Sequence, residues 1–188
     1  MYTIDEAQLK QRLAASLPPG DVEAAVRTFK ASSPGAGPAE LYFKITSWRS
    51  YIRNATIMAE KRAALNGARN PTWMYQVTWR SPAEGGRRFS QHTLNLPFML
   101  DNVSRAANLT GAPSEETRVM ADNMANAWIA FARTGNPNHR GLPAWPTYDP
   151  VKRPVMEFEV PARVVNDPFP TERRFMERYQ PVRARAGE

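Results

Sequence analysis

Residues 72–79 are apolar on both faces, and this feature limits the possible folds more than any other in the chain. Alternate positions form two sets, with Trp73, Tyr75, Val77 and Trp79 in one and Met74, Gln76 and Thr78 in the other. This period of two, with many aromatic residues, predicts a β-strand. A strand with two apolar faces needs cover on both sides, as strands in parallel sheets have. The segment is therefore predicted to be an interior strand.

Helical patterns flank this strand on both sides. Hydrophobic spacing predicts helices at 7–16, at 21–30, along a face running from Leu41 to Met58 or Ala59, at 115–133 and at 171–179. The helix at 115–133 has the strongest end signals, because Ser114 suits an N-cap and Gly135 suits a stop. Its buried stripe is predicted to consist of Met120, Met124, Ala127, Trp128 and Phe131. The first of the long helices is predicted to end at Asn66-Gly67. Residues 156–160 alternate apolar and acidic side chains, which predicts a half-exposed strand. Strands separated by long helices indicate an α/β layered sheet.

Composition excludes several classes of function. The chain has 188 residues with 42% hydrophobic content, which is typical of a folded domain, and no run of 18 apolar residues, so no membrane span is expected. It has no cysteine, so disulfides and thiolate metal ligands are excluded, and no cofactor or metal is expected. The net charge is +7, yet the arginines are scattered and no nucleic-acid motif accompanies them, so nucleic-acid binding is not expected. Localisation stays open.

The two histidines are the main candidates for chemistry. His92 lies in SQHTLNLPF, after a glycine-rich loop that follows the predicted strand. Loops over a rigid sheet are common positions for catalytic groups. His139 lies in GNPNHRGLP, a turn in which a structural role is expected.

Four segments, in chain order, resemble type-B carboxylesterases and cholinesterase-like proteins. These segments are YTIDEA near the start, QHTLNLPFMLDN around His92, then NAWIAFARTGNPN and LPAWPTYDP. The resemblance implies the C-terminal portion of an α/β-hydrolase fold, an incomplete sheet flanked by helices, with residues 1–188 forming that part of one carboxylesterase domain. It also implies a carboxylic ester hydrolase that acts on small-molecule carboxylic esters.

The resemblance assigns two members of a Ser-Glu-His triad. His92 occupies the position of the catalytic base, and Glu6 occupies that of the acid, so both are candidate catalytic residues. Glu6 precedes His92, which agrees with the hydrolase order of serine, acid, histidine. Asn95 stands where the family commonly has an acid, and Ala7 stands where a glycine is usual.

The third member of the triad is absent from this sequence. No serine has the G-x-S-x-G surroundings of a nucleophile elbow, and no Gly-Gly oxyanion loop precedes Glu6. We therefore expect the chain alone to be inactive and its partner to be the missing N-terminal part of the same domain. One alternative is a non-catalytic, cholinesterase-like interaction module. Another is a truncated fragment without function.

Overall fold

The structure is a computed structural model that describes residues 2–66 and 71–179. The chain divides into two units, Met1–Lys61 with Phe169–Glu188, and Arg62–Pro168. Among the described residues no helix has the length and apolarity needed to cross a membrane.

The first unit is built of helices. Its elements are α1 (Glu6–Leu13), α2 (Asp21–Ser32), α3 (Pro38–Ser47), a π-helical turn (Trp48–Ile52), α4 (Arg53–Asn66), whose last turn enters the second unit, and α8 (Pro170–Glu177). The helices predicted at 7–16, 21–30 and 171–179 are confirmed with small changes of bounds. The proposed stop at Gly67 lies outside the described residues. Helix α1 begins where it does because the Asp5 carboxylate accepts from the Gln8 N–H at 2.8 Å and the Gln8 side chain accepts from the Asp5 N–H at 3.1 Å.

The π-helical turn corrects the predicted buried face of the long helix. Leu41, Ile45, Trp48 and Ala59 are buried as expected, whereas Ala55 and Met58 are exposed. A π-turn inserts one extra residue and so interrupts the regular α-helical spacing at Trp48–Ile52. Sequence spacing alone assumes an unbroken helix and therefore misses this interruption.

A buried tyrosine joins the two chain segments that form the first unit. The Tyr179 hydroxyl donates to the Asp21 carboxylate at 2.8 Å. Burial, together with this bond, raises the pKa of Tyr179 from 10.0 to about 12. Because the folded-state pKa lies above the unfolded one, the stabilisation is complete below pH 10.0 and is lost as the pH rises to about 12.

We therefore expect Tyr179→Phe to remove part of the loss of stability that the parent chain shows in this alkaline range. Urea unfolding at a series of pH values measures the difference. Tyr51→Phe, at a side chain that is 70% exposed, is the matched control and should keep the parent's dependence on pH. An equal alkaline loss in Tyr179→Phe and the parent would contradict the assignment.

The second unit contains a small mixed sheet and its covering helices. Its elements are β1 (Tyr75–Val77), α5 (Asn95–Met99), α6 (Ala107–Thr110), α7 (Glu115–Thr134), β2 (Pro154–Phe158) and β3 (Arg163–Asn166). The sheet order is β1-β2-β3, with β1 parallel and β3 antiparallel to β2. The expected α/β layering is thus present in a helix-rich, partial form.

Helix α7 covers this sheet and has the predicted ends. Ser114 and Thr117 form a capping box, and Gly135 ends the helix with φ 73°. Met120, Met124 and Ala127 are fully buried, as predicted. Phe131, predicted to lie in the same buried stripe, is instead 50% exposed.

The strands differ from the sequence prediction in four ways. Strand β1 is shorter than residues 72–79, and β3 was not predicted. Strand β2 is buried throughout, not half-exposed, because Glu157 receives hydrogen bonds from Gln76 Nε2 at 2.7 Å and from Arg163 Nε at 2.8 Å. Val160, predicted to belong to this strand, lies beyond its end and is 38% exposed.

Phe158 lies at the centre of the hydrophobic core of the second unit. Its ring is fully buried, with ring centroids of Tyr75 and Trp145 both 5.8 Å away in edge-on geometry. We expect Phe158→Ala to lower the free energy of unfolding by about 3–5 kcal/mol, because it removes buried apolar area and leaves a cavity. Val151→Ala, at a side chain that is 87% exposed, is the control and should change stability by at most about 0.5 kcal/mol. Denaturant unfolding measures both, and equal losses would contradict this account of the core.

Candidate active-site loop

His92 lies on the loop that connects β1 to α5. The loop leaves the carboxyl end of β1, and His92 begins the turn of residues 92–94 that leads into Asn95, the first residue of α5. The His92 side chain is exposed. Its position at the carboxyl end of a parallel strand is the edge where α/β folds place their functional groups.

The segment after His92 is fixed to the core by apolar residues. Leu94 and Phe98 are fully buried, and the Phe98 ring meets the Trp79 ring edge-on with centroids 5.4 Å apart. Because Trp79 lies two residues beyond the end of β1, this pair closes the loop at its base. Leu94 and Phe98 therefore anchor α5 and fix the position of the turn that carries His92.

Three non-glycine residues of the loop have left-handed backbone conformations. They are Glu84 with φ 52°, Phe89 with φ 55° and Thr93 with φ 70°. Thr93 is the most unusual of them, because a β-branched side chain strongly disfavours this region. It follows His92 directly, and its hydroxyl donates to the His92 carbonyl at 2.6 Å. Strain of this kind persists only where surrounding contacts hold the backbone in place.

Side-chain hydrogen bonds provide such contacts. The Ser81 hydroxyl donates to the carbonyl of Leu109 at 2.5 Å, and Gln91 Nε2 donates to the same oxygen at 3.3 Å. The Ser90 hydroxyl donates to the carbonyl of Val77, the last residue of β1, at 2.6 Å. The loop is thus tied to α6 and to the strand. Sequence analysis missed these residues, since no local pattern links Ser81 or Gln91 to a carbonyl 28 or 18 residues away.

Asn95 and Tyr75 lie close together below the turn. Asn95 Nδ2 is 3.5 Å from the Tyr75 hydroxyl, at the limit of a hydrogen bond. Burial raises the pKa of Tyr75, which keeps the phenol neutral at ordinary pH. At this position the chain therefore has a neutral amide next to a neutral phenol.

Glu6, the candidate acid, is the first residue of α1 in the first unit. Its side chain is 71% exposed, and Oε1 is 3.2 Å from Lys10 Nζ. Lys10 Nζ also lies 2.8 Å from Glu23 Oε1. Glu6 and His92 belong to different units of the structure. Their pairing in a triad remains a prediction.

His139 is hydrogen bonded at both ring nitrogens. Nδ1 accepts from the Gly141 N–H at 3.1 Å, so the proton of the neutral ring is on Nε2, which donates to the Asn123 carbonyl at 3.0 Å. The side chain is half-buried. These contacts agree with the structural role expected for His139. Within residues 2–66 and 71–179, no cluster of three or more histidine and acidic side chains could hold a metal ion.

An aromatic cavity of about 300 Å³ opens in the second unit beside β1 and the end of α7. Its aromatic lining consists of Trp73, Tyr75, Trp128, Phe131 and Trp145. Ring pairs such as Tyr75–Trp128, with centroids 5.0 Å apart, make this wall rigid. The half-exposed Phe131 lies on its rim, which explains why that residue is not part of the closed core.

Comparison with known proteins gives consistent matches. The model of a family described as the carboxylesterase family matches residues 40–176. Para-nitrobenzyl esterase of Bacillus subtilis (strain 168) is 30% identical over 99 residues, which are 52% of this chain and 20% of that protein. Phenmedipham hydrolase of Pseudarthrobacter oxydans is 33% identical over 94 residues, 48% of this chain and 18% of that protein.

Solved structures match over most of the chain. The carboxylesterase EST55 of Geobacillus stearothermophilus has a TM-score of 0.75 and 28% identity, covering 92% of this chain and 35% of that one. The chain thus spans about a fifth of the length of these curated relatives and about a third of this solved structure.

The left-handed conformation of Thr93 gives a test of loop strain. We expect Thr93→Asn to raise the free energy of unfolding by about 0.5–1 kcal/mol, because asparagine tolerates this conformation better than a β-branched residue does. Thr147→Asn is the control, since Thr147 is exposed and has no positive φ, and should change stability by at most about 0.5 kcal/mol. Urea unfolding measures the stability of both variants. A Thr93→Asn variant that is less stable than the parent would contradict the inferred backbone strain at Thr93.

Proposed function

The chain belongs to the carboxylesterase family, and from this premise we propose that it supplies the base and the acid of a Ser-Glu-His triad that hydrolyses carboxylic esters. His92 is the base and Glu6 is the acid. The remaining N-terminal part of the domain supplies the serine and the oxyanion hole. The observation that carries the proposal is the position of His92, exposed on a tied loop at the carboxyl end of parallel strand β1, inside the matched range.

In this reaction His92 transfers a proton, and Glu6 orients and stabilises His92. The neutral His92 imidazole removes the proton of the serine hydroxyl as that oxygen attacks the ester carbonyl, and it later returns a proton to the leaving alcohol. Glu6 accepts a hydrogen bond from the other ring nitrogen, which fixes the tautomer and stabilises the imidazolium. The exposed Glu6 needs cover for this role, because a triad carboxylate acts from a buried position.

The chain alone has no hydroxyl in the role of nucleophile. Its sequence contains no G-x-S-x-G, and the two serines that flank the His92 loop use their hydroxyls elsewhere. Ser81 donates to Leu109, and Ser90 donates to Val77. We therefore propose that ester turnover requires the complementing part of the domain.

The aromatic cavity and the open edge of β1 form the docking face for that part. Strand β1 pairs with β2 along one edge, and among the described residues no strand pairs along its other edge. Its three residues are only half-buried, although strands in parallel sheets are normally covered on both faces. The relatives are three to five times longer than the matched segment, so they have ample chain to cover this face.

Complementation tests the proposal. The chain is co-expressed with the part of the Geobacillus stearothermophilus carboxylesterase that lies outside the matched region, and hydrolysis of a fluorogenic short-chain ester is measured. We expect turnover only when both parts are present. His92→Ala should lower kcat by at least about 10⁴-fold, and Glu6→Gln by about 10⁴-fold.

Two matched variants control for general damage. His139→Ala removes the other histidine, and Glu23→Gln neutralises the other carboxylate that pairs with Lys10. Both should retain turnover. The Geobacillus enzyme, divided at the same point and co-expressed, shows that the method works. Turnover by this chain alone, or a fully active His92→Ala complex, would refute the proposal, whereas an inactive complex would favour an interaction module.

A further inference from the structure

We infer that Gln91 is a positioning residue for His92, acting together with Ser81 through one shared acceptor, the carbonyl oxygen of Leu109. The inference rests on the proposed role of His92 as the base. It concerns a residue that does not itself touch the reacting atoms.

The shared acceptor ties both ends of the His92 loop to one point. Ser81 stands near the start of the loop and is fully buried, and its hydroxyl also accepts from the Ala83 N–H at 3.1 Å. Gln91 stands at the other end, directly before His92, and is half-buried. Because both side chains donate to the Leu109 oxygen, the two ends of the loop cannot separate without breaking one of these bonds.

The Leu109 carbonyl is available because α6 is short. A carbonyl in the last turn of a helix has no partner within that helix, and α6 ends at Thr110. Gly111, with φ 75°, ends the helix, and a Cβ at this position would lie 2.7 Å from Pro82 Cγ. The glycine thus lets the end of α6 approach the residue that follows Ser81. This close approach places the free oxygen within reach of both donors.

Arg88 orients the Gln91 amide. Its Nη1 donates to Gln91 Oε1 at 3.3 Å, so the amide oxygen faces Arg88 and the amide nitrogen faces Leu109. Arg88 also forms an ion pair with Glu84, which holds the guanidinium over the loop. The Gln91 side chain therefore has both of its polar ends satisfied in one orientation.

The turn beyond Gln91 needs this support. Thr93 has the left-handed backbone described above, and His92 lies between Gln91 and Thr93. When the Gln91 bond is lost, the backbone at 91–93 can relax and move the imidazole. A displacement of about 1 Å at a reacting group can lower a rate about 100-fold.

The test replaces Gln91 by methionine, which keeps the length of the side chain and removes the amide. Asn126→Leu is the control, because the exposed Asn126 amide also donates one hydrogen bond in the same unit, to the Asp122 carbonyl of α7 at 2.8 Å, outside the loop and outside the proposed docking face. Amide hydrogen exchange of the chain is followed by mass spectrometry. Hydrolysis of the fluorogenic ester is measured in the complemented enzyme described above.

We expect Gln91→Met to speed amide exchange in residues 88–94 about tenfold while α7 keeps its protection. In the complemented enzyme kcat should fall about 10- to 100-fold with KM within about twofold of the parent, the sign of a loss confined to the transition state. Asn126→Leu should leave loop exchange unchanged and kcat within about threefold of the parent.

Four outcomes would overturn the inference or its basis. Unchanged loop exchange in Gln91→Met overturns it whatever the activity. A parental kcat in that variant, or an equal loss of kcat in Asn126→Leu, overturns it as well, because the effect would then be absent or general. A complemented parent without turnover is a different failure, since it removes the proposed role of His92 itself.

Discussion

The backbone of Phe158 fixes where β1 ends and the loop that carries His92 begins. Its carbonyl accepts from the N–H groups of both Thr78, at 3.0 Å, and Trp79, at 3.2 Å, just beyond the last paired residue of β1. One oxygen that receives two successive amides stops a ladder, because the strand can no longer advance residue by residue. The ring of Phe158 meanwhile fills the core beneath α7. The same residue therefore stabilises the sheet and determines the point at which the chain leaves it towards His92.

Much of the second unit could be predicted from local sequence, and the reasons are physical. Helix α7 has a capping box and a left-handed glycine, signals that act within a few residues and need no tertiary information. Glu157 shows the limit of this reasoning. Its acidic side chain in an alternating pattern indicates exposure, but Gln76 and Arg163 satisfy it inside the sheet. Such long-range neutralisation of a buried charge cannot be read from spacing. Phe131 is the opposite case, an apolar residue on the helical stripe that lies beyond the closed core.

In the candidate site, too, some residues could be predicted from the sequence and others could not. His92 is predicted from the motif around it, and the buried Leu94 and Phe98 that follow it act as an apolar anchor. Its supports were not found, because Ser81 and Gln91 meet at the carbonyl of Leu109 through tertiary contact alone. Glu6 shows a different limit: its sequence position fits the acid of a triad, whereas the described structure shows an exposed helix-start carboxylate beside Lys10. The electrostatic environment of this acid depends on the surfaces that cover it.

The π-helical turn at Trp48–Ile52 has a consequence for how this region tolerates changes in length. Its surplus residue sits in one widened turn, and the helices on either side keep their inward faces: Trp48 before it and Ala59 after it are both buried. Removing one residue from the widened turn would restore a regular helix without rotating either face. Homologous chains aligned with this one can therefore carry a one-residue gap there and retain the same packed interior.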